Sequence, residues 1–191
     1  MTFDYTDAPS QLIPDTIATV SAHIRPGGVG EDGMLKRSAN GECEMIDFEF
    51  TVLDGAYKGR KWWENRIITG TTDGQKQMAA SNLGVLKAIL DSALGLLPND
   101  VSAEARAART VSVKWFDGKS FIAKIGQEKG GPNKKDGGNY PDKNILAGVI
   151  TKDKKEWHPV EQAPPFNGGG AGAPSSTPSA PAAPVERPNW A

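Results

Sequence analysis

The chain has 191 residues and a formal net charge of −1, which suits one domain with a genuine core and is too short for two large ones. The first residues are acidic and lack the apolar stretch of a signal peptide, and the longest apolar run, residues 83–97, is interrupted by Lys87 and Asp91, so we expect no membrane span. A single cysteine, Cys43, excludes an intramolecular disulfide and favours a reducing, cytoplasmic location.

Three segments in the first part of the chain have the alternation of apolar and polar residues that half-buried strands show. Residues 16–25 and 43–53 alternate most clearly, and residues 60–69 follow the turn sequence "DGAYKG". A glycine-rich loop separates the first two segments. Because only loops and turns connect the three segments, we predict an antiparallel meander.

The hydrophobic period then changes to that of a helix over residues 83–94, where leucine and isoleucine recur at spacings of three and four residues. Ser102 is a suitable N-cap for a second, short helix. Strand character returns over residues 110–116 and 119–127, and a last strand is predicted over residues 144–151. A polar, glycine-rich loop precedes this last strand.

The order of three strands, a helix and at least two more strands favours a mainly β fold. A five-stranded Greek-key OB-fold barrel with a helix between strands three and four has this order, and we predict it here. The alternative is an open α+β sheet with the helix packed across one face. Residues 1–15 then form an N-terminal arm, residues 16–160 the folded domain, and residues 161–191 a disordered tail rich in Pro, Ala, Gly and Ser.

The small net charge conceals an uneven distribution. Residues 1–54 carry 3 Lys/Arg and 10 Asp/Glu, a balance of −7, whereas residues 55–160 carry 18 and 11, a balance of +7. This asymmetry indicates affinity for polyanions in the second portion. We expect the outward carboxylates of Asp47 and Glu49 in the acidic portion to define a face that does not bind such a ligand.

Aromatic and basic residues are interleaved twice in predicted strands. Neighbouring strand residues point to opposite faces, so one ring of Trp62 and Trp63, and one of Trp115 and Phe116, should face away from the core. Exposed rings in a basic groove hold single-stranded nucleic acid, and each stacked base contributes about 1–3 kcal/mol. For any single aromatic residue the alternative is a core position. The candidate binding residues are Tyr57, Lys58, Arg60, Lys61, Trp62, Trp63, Arg66, Lys114, Trp115, Phe116, Lys119 and Lys124, with Lys134, Lys135 and Tyr140 on a loop.

No catalytic or metal site is readable in the sequence. His23 and His158 belong to different predicted elements, and neither has a Cys or a second His at metal-ligand spacing. Nucleophile-elbow and Walker-type patterns do not occur. A tight turn explains Asp117 and Gly118 more simply than a nuclease metal site does. We therefore expect neither an enzyme nor a cofactor, with a metal-dependent nuclease as the least favoured alternative.

Several segments resemble a family of phage and prophage proteins that are similar to single-stranded DNA-binding proteins with OB-folds. The segments are "FEFTVLDGAYKGRKWWENRIITG", "LKAILDSALGL" with "AEARAAR", "FDGKSFIAKIGQEKG" and "YPDKNILAGVITKDKKEWHPVE". The resemblance covers residues 15–160 and implies a role in phage replication or recombination within a bacterial host cell. It supplies no established binding residues for this chain.

The tail is similar to the flexible arms of bacterial single-stranded DNA-binding proteins, which end in an acidic, aromatic tip that recruits partners. Trp190 is the corresponding docking residue, although Arg187 cancels the charge of Glu186. The expected function is sequence-tolerant binding of single-stranded DNA, with replication or recombination proteins as partners of the tail. A homo-oligomer is compatible with the sequence. The alternative function is an adaptor that binds a protein through the same aromatic surface.

Overall fold

The computed structural model describes residues 12–132 and 137–162. The predictions for Lys134, Lys135, Trp190 and most of both terminal segments lie outside the described residues. The described strands are β1 (Thr16–Ile24), β2 (Lys36–Arg37), β3 (Cys43–Val52), β4 (Lys61–Gly70), β5 (Ser120–Glu128) and β6 (Lys143–Val149). The described helices are α1 (Asp73–Leu94) and α2 (Ala103–Ala108), and two short 3-10 turns span Gly55–Tyr57 and Val113–Phe116.

The fold is mainly β, as predicted, and its strands form one antiparallel sheet. The five long strands lie in the order β4–β3–β1–β5–β6, and β2 adds a two-residue ladder to β3. A closed barrel needs a backbone ladder between the two outermost strands, β4 and β6, and the described residues contain none. Instead, the side chains of Glu64 and Arg66 on β4 contact the backbone of Leu146 on β6. The described sheet is therefore open.

Alternation along β3 produces the core. Phe48 and Phe50 are fully buried, and the ring of Phe50 lies 5.2 Å from that of Phe48 and 5.0 Å from that of Trp62 on β4. Ile89 and Leu90 of α1 belong to the same buried cluster. Each such apolar side chain stabilises the fold by about 1.5–3 kcal/mol relative to exposure, so this cluster fixes which face of each strand is outward.

Helix α1 lies between the third and fourth long strands, as predicted, but it begins ten residues before the predicted stripe. Thr72 and Gln75 form a capping box: the Gln75 N–H donates to Thr72 Oγ1, and the Thr72 N–H donates to Gln75 Oε1. The first turns are largely exposed, so they carry no apolar stripe. Gly95, with φ of 65°, ends the helix in the left-handed conformation. None of the described helices is long and apolar enough to cross a bilayer.

The strand predicted over residues 110–116 is wrong. Val113–Phe116 is a 3-10 turn, in which the Trp115 N–H donates to the Ser112 carbonyl at 3.1 Å. Both edges of β1 and both edges of β5 already pair with other strands, so this segment has no edge of those strands to join. The turn predicted at Asp117 and Gly118 is present, and Gly118 has φ of 75°.

Candidate nucleic-acid interface

The adjacent tryptophans of β4 point to opposite faces of the sheet. Trp62 lies in the core with 3% of its surface exposed, whereas Trp63 is 51% exposed. The indole N–H of Trp62 donates to Glu64, which satisfies its polar atom within the fold. The expectation that one ring of the pair is buried and the other exposed agrees with the structure, and Trp63 is the exposed one.

Glu49 on β3 holds the exposed ring in place. Trp63 is its direct cross-strand partner, and the indole N–H donates to Glu49 Oε2 at 3.0 Å. The ammonium of Lys61 lies 2.5 Å from Glu49 Oε1. The hydrogen bond from Lys61 lowers the pKa of Glu49 below its ordinary value; burial opposes this, and the bond from Trp63 adds to it. An ionised carboxylate therefore anchors both a cation and an exposed ring.

Asp47 and Glu49 were predicted to define a face that does not bind the ligand, on the opposite side from the bound strand, but the structure places Glu49 beside the exposed ring of Trp63. Glu49 lies on the same face as Trp63 because directly opposed strand residues share a face. Asp47, two residues earlier, is 3% exposed and bonds to Arg25 and Lys36. We call this outward surface of β1, β2, β3 and β4 the Trp63 face; it comprises His23, Arg25, Lys36, Asp47, Glu49, Lys61 and Trp63.

His23 lies opposite Glu49 on β1, and its Nδ1 atom is 2.7 Å from Asp117 Oδ1. Asp117 thereby joins the Trp63 face to the 3-10 turn at Val113–Phe116. With Asp117 included, the face has as many carboxylates as Lys and Arg side chains. Although the charges of the whole face balance, there is a local excess of positive charge at Arg25 and Lys36, where two cations share one carboxylate.

Three predicted binding residues are corrected by their burial. Trp62 and Phe116 are 3% and 4% exposed and form part of the core, so they present no ring to a ligand. The side chain of Arg66 is 17% exposed and pairs with Glu64. Arg66 also donates to the carbonyl of Leu146, so its guanidinium ties β4 to β6 instead of facing solvent.

The second predicted aromatic pair has a different geometry from the first, because its backbone forms a 3-10 turn and not a strand. The Trp115 ring is half-buried and packs edge-on against Phe116, with centroids 5.4 Å apart. The ammonium of Lys119 lies 5.0 Å from the Trp115 centroid, within reach of a cation–π contact. Lys114 is exposed, and its backbone N–H donates to Asp32.

The other predicted residues lie on the turn between β3 and β4, on β5, and on the connection from β5 to β6. The Arg60 guanidinium is 5.5 Å from the Tyr57 centroid on the turn between β3 and β4, where Lys58 is also exposed. Lys124 is exposed on β5, two strands away from β3. Tyr140, 54% exposed, lies on the connection from β5 to β6. The structure thus gathers the turn residues beside Lys61 and leaves Tyr140 apart.

The sequence prediction missed Arg25 and Lys36 as site residues. Arg25 follows β1 in phase with the outward residue His23, so the alternation of the first strand contained its signal. Lys36 belongs to a ladder of only two residues inside a glycine-rich loop, and no periodic pattern indicates so short a strand.

No group of three or more His, Cys, Asp or Glu side chains in residues 12–132 and 137–162 is arranged to hold a metal ion. A groove of about 410 Å³ between α1 and the 3-10 turn is mainly apolar, and its two cations, Lys87 and Arg109, are both bonded to Asp91.

The sequence matches no protein-family model and no curated protein.

Proposed function

We propose that this protein binds single-stranded DNA through the Trp63 face. The observation that carries the proposal is a tryptophan left 51% exposed while its indole N–H is tethered to a carboxylate. A ring fixed by its polar edge is suited to stacking, because it loses little freedom when a base packs against it. Stacking makes use of the π-face that every base has, so we expect binding that tolerates sequence.

The topology supports this proposal. In an OB-fold, the face of the second and third strands binds oligonucleotides, and here the second and third long strands are β3 and β4. These strands contribute Glu49, Lys61 and Trp63. We propose that the strand order, with α1 between β4 and β5, is that of an OB-fold opened between its third and fifth strands. We propose that Glu64, Arg66 and Leu146 complete the barrel at that position.

The biological setting is proposed from the resemblance to phage and prophage proteins. Single strands become exposed during replication and recombination, and a protein that coats them needs neither a cofactor nor base-specific contacts. The cations on the turn beside Lys61 supply favourable interactions with the strand's phosphates.

The test is a fluorescence anisotropy titration of labelled oligo-dT with the wild type, Trp63→Ala and Trp63→Phe. We expect Trp63→Ala to weaken binding by about 1–3 kcal/mol, roughly 5- to 150-fold, and Trp63→Phe to retain most of the affinity. Leu83→Ala is the matched control, because Leu83 is 55% exposed on α1, away from the Trp63 face.

Two results would overturn the proposal. One is a wild-type protein that does not bind oligo-dT even at low salt. The other is equal affinity of the wild type and Trp63→Ala, which would remove the ring from any binding role. Binding to a protein partner but not to oligo-dT would instead favour the adaptor function.

A further inference from the structure

Two cations of the Trp63 face share one buried carboxylate. Arg25 Nη2 lies 2.6 Å from Asp47 Oδ1, and Lys36 Nζ lies 3.0 Å from Asp47 Oδ2. The Asp47 side chain is 4% exposed, whereas those of Arg25 and Lys36 are 48% and 50% exposed. The carboxylate thus lies beneath the two cations and holds their charged ends close together at the surface.

This arrangement leaves an excess of positive charge. Burial raises the pKa of Asp47, but the hydrogen bonds from Arg25 and Lys36 outweigh it, so the pKa lies below its ordinary value and the group is ionised at neutral pH. One negative charge then faces two positive charges. Asp47 needs a single cation for neutrality, and neither Arg25 nor Lys36 forms an ion pair with a second carboxylate among the described residues.

A second buried carboxylate in the same protein shows what a purely structural arrangement looks like. Asp91 on α1 also bonds to two cations, Lys87 and Arg109. The Arg109 side chain, however, is only 13% exposed, and it also donates to the carbonyls of Leu97 and Asp100. Arg25 donates from its side chain only to Asp47 among the described residues. Its remaining N–H groups are therefore available to an external acceptor.

The cation pair lies within reach of the exposed ring. Asp47 pairs with Asn65, which is two residues along β4 from Trp63, and the Arg25 N–H donates to the Asp47 carbonyl across the next strand interface. Two strand spacings and two residue steps place Arg25 about 12 Å from Trp63 between backbones. A bound strand of a few nucleotides spans that distance.

We infer that Arg25 and Lys36 form a binding site for a backbone phosphodiester of the strand whose base stacks on Trp63. Asp47 is the positioning residue of this site. A guanidinium beside an ammonium suits a phosphodiester, because the planar fork of Arg and the point charge of Lys both donate to its anionic oxygens. The inference rests on the proposed function and adds to it the place where the backbone is held.

The test measures how the affinity for oligo-dT depends on salt. Each phosphate contact that is lost should lower the slope of log K against log salt concentration by about 0.7. We expect this decrease in Arg25→Gln and in Lys36→Gln. Arg37→Gln is the matched control: it removes the same charge one residue away from Lys36, on a side chain that pairs with Glu44. Its slope should remain that of the wild type.

Arg25→Lys keeps the charge and should keep the slope, which guards against a fold disturbed by the loss of Arg25. A thermal melt of each variant checks folding directly. The inference is overturned if Arg25→Gln and Lys36→Gln, both folded, give the slope of Arg37→Gln. That outcome differs from failure of the proposed function, in which the wild type does not bind oligo-dT or Trp63→Ala binds as tightly as the wild type.

Discussion

Trp63 keeps half of its surface in water although burial of an indole is strongly favourable. Its cross-strand partner accounts for this position. Glu49 accepts the indole N–H and the ammonium of Lys61 at the same time, so the ring is fixed without being covered. A single carboxylate thus determines how the most exposed ring of the Trp63 face is presented.

The carboxyl groups of Asp47 and Glu49 make the free energy of unfolding depend on pH. The pKa of each is lowered from its ordinary value, 3.8 and 4.5 respectively, so the unfolded state takes up protons more readily than the folded state as the pH falls. Their contribution is therefore fully present above about pH 5 and is lost as the pH falls through the ordinary values towards the lower folded ones. Urea unfolding at pH 7, 5, 4 and 3 should show a constant free energy of unfolding between pH 7 and 5 and a decrease below.

Asp47→Asn serves as the comparison in that experiment. It removes the titration of Asp47, so its free energy of unfolding should decrease less steeply than that of the wild type between pH 5 and 3. A wild-type protein that is equally stable at pH 5 and pH 3 would contradict the assignment.

Among the secondary structure elements, β4 contributes side chains to two different parts of the molecule. Lys61 and Trp63 belong to the Trp63 face, while Glu64 and Arg66 tie the strand to α1 and β6 through Asn82 and the backbone of Leu146. The sequence prediction treated all the cations of this strand as one group. Alternation separates them, because Lys61 and Arg66 are an odd number of residues apart and point to opposite faces of the strand; the packing of α1 and β6 then buries Arg66.

We predict that Arg66→Met lowers the free energy of unfolding by about 3 kcal/mol, because it leaves the largely buried Glu64 without its cation. The oligo-dT salt slope should be unchanged, since Arg66 does not face a ligand. Chemical denaturation and the anisotropy titration measure the two effects separately. Lys143→Met is the control: its pair with Glu128 is exposed on both sides, so it should change stability by less than about 1 kcal/mol. A lower salt slope in Arg66→Met than in the wild type would contradict this prediction and would indicate that Arg66 contacts the bound strand.

At the scale of the whole molecule, alternation and helical periodicity predicted the three-strand meander, the later strands, and a helix between the third and fourth long strands. These signals are local, and each comes from residues that bury one face. The segment before Asp117 had the same kind of pattern but forms a 3-10 turn, in which the Trp115 N–H donates to the Ser112 carbonyl. A local pattern does not distinguish these two outcomes, since the ladder that makes a strand depends on a partner far away in the sequence.

The candidate site was only partly predictable for a related reason. The exposure of one ring of Trp62 and Trp63 follows from alternation alone. The grouping of Arg25, Lys36 and Asp47 depends on a two-residue ladder and on register, which connect residues far apart in the sequence. Whether a lysine faces a ligand or a carboxylate is decided by such long-range pairing.

The contact between β4 and β6 through side chains has a consequence for the protein in concentrated solution. Unpaired strand edges can recruit the edge of another molecule, and charged side chains set along an edge are a natural means of preventing this. Glu64 and Arg66 occupy such a position, between two outer strands that share no ladder. Loss of this pair would therefore expose the edges of β4 and β6 at the same time. It would favour self-association by pairing of these edges with strands of another molecule.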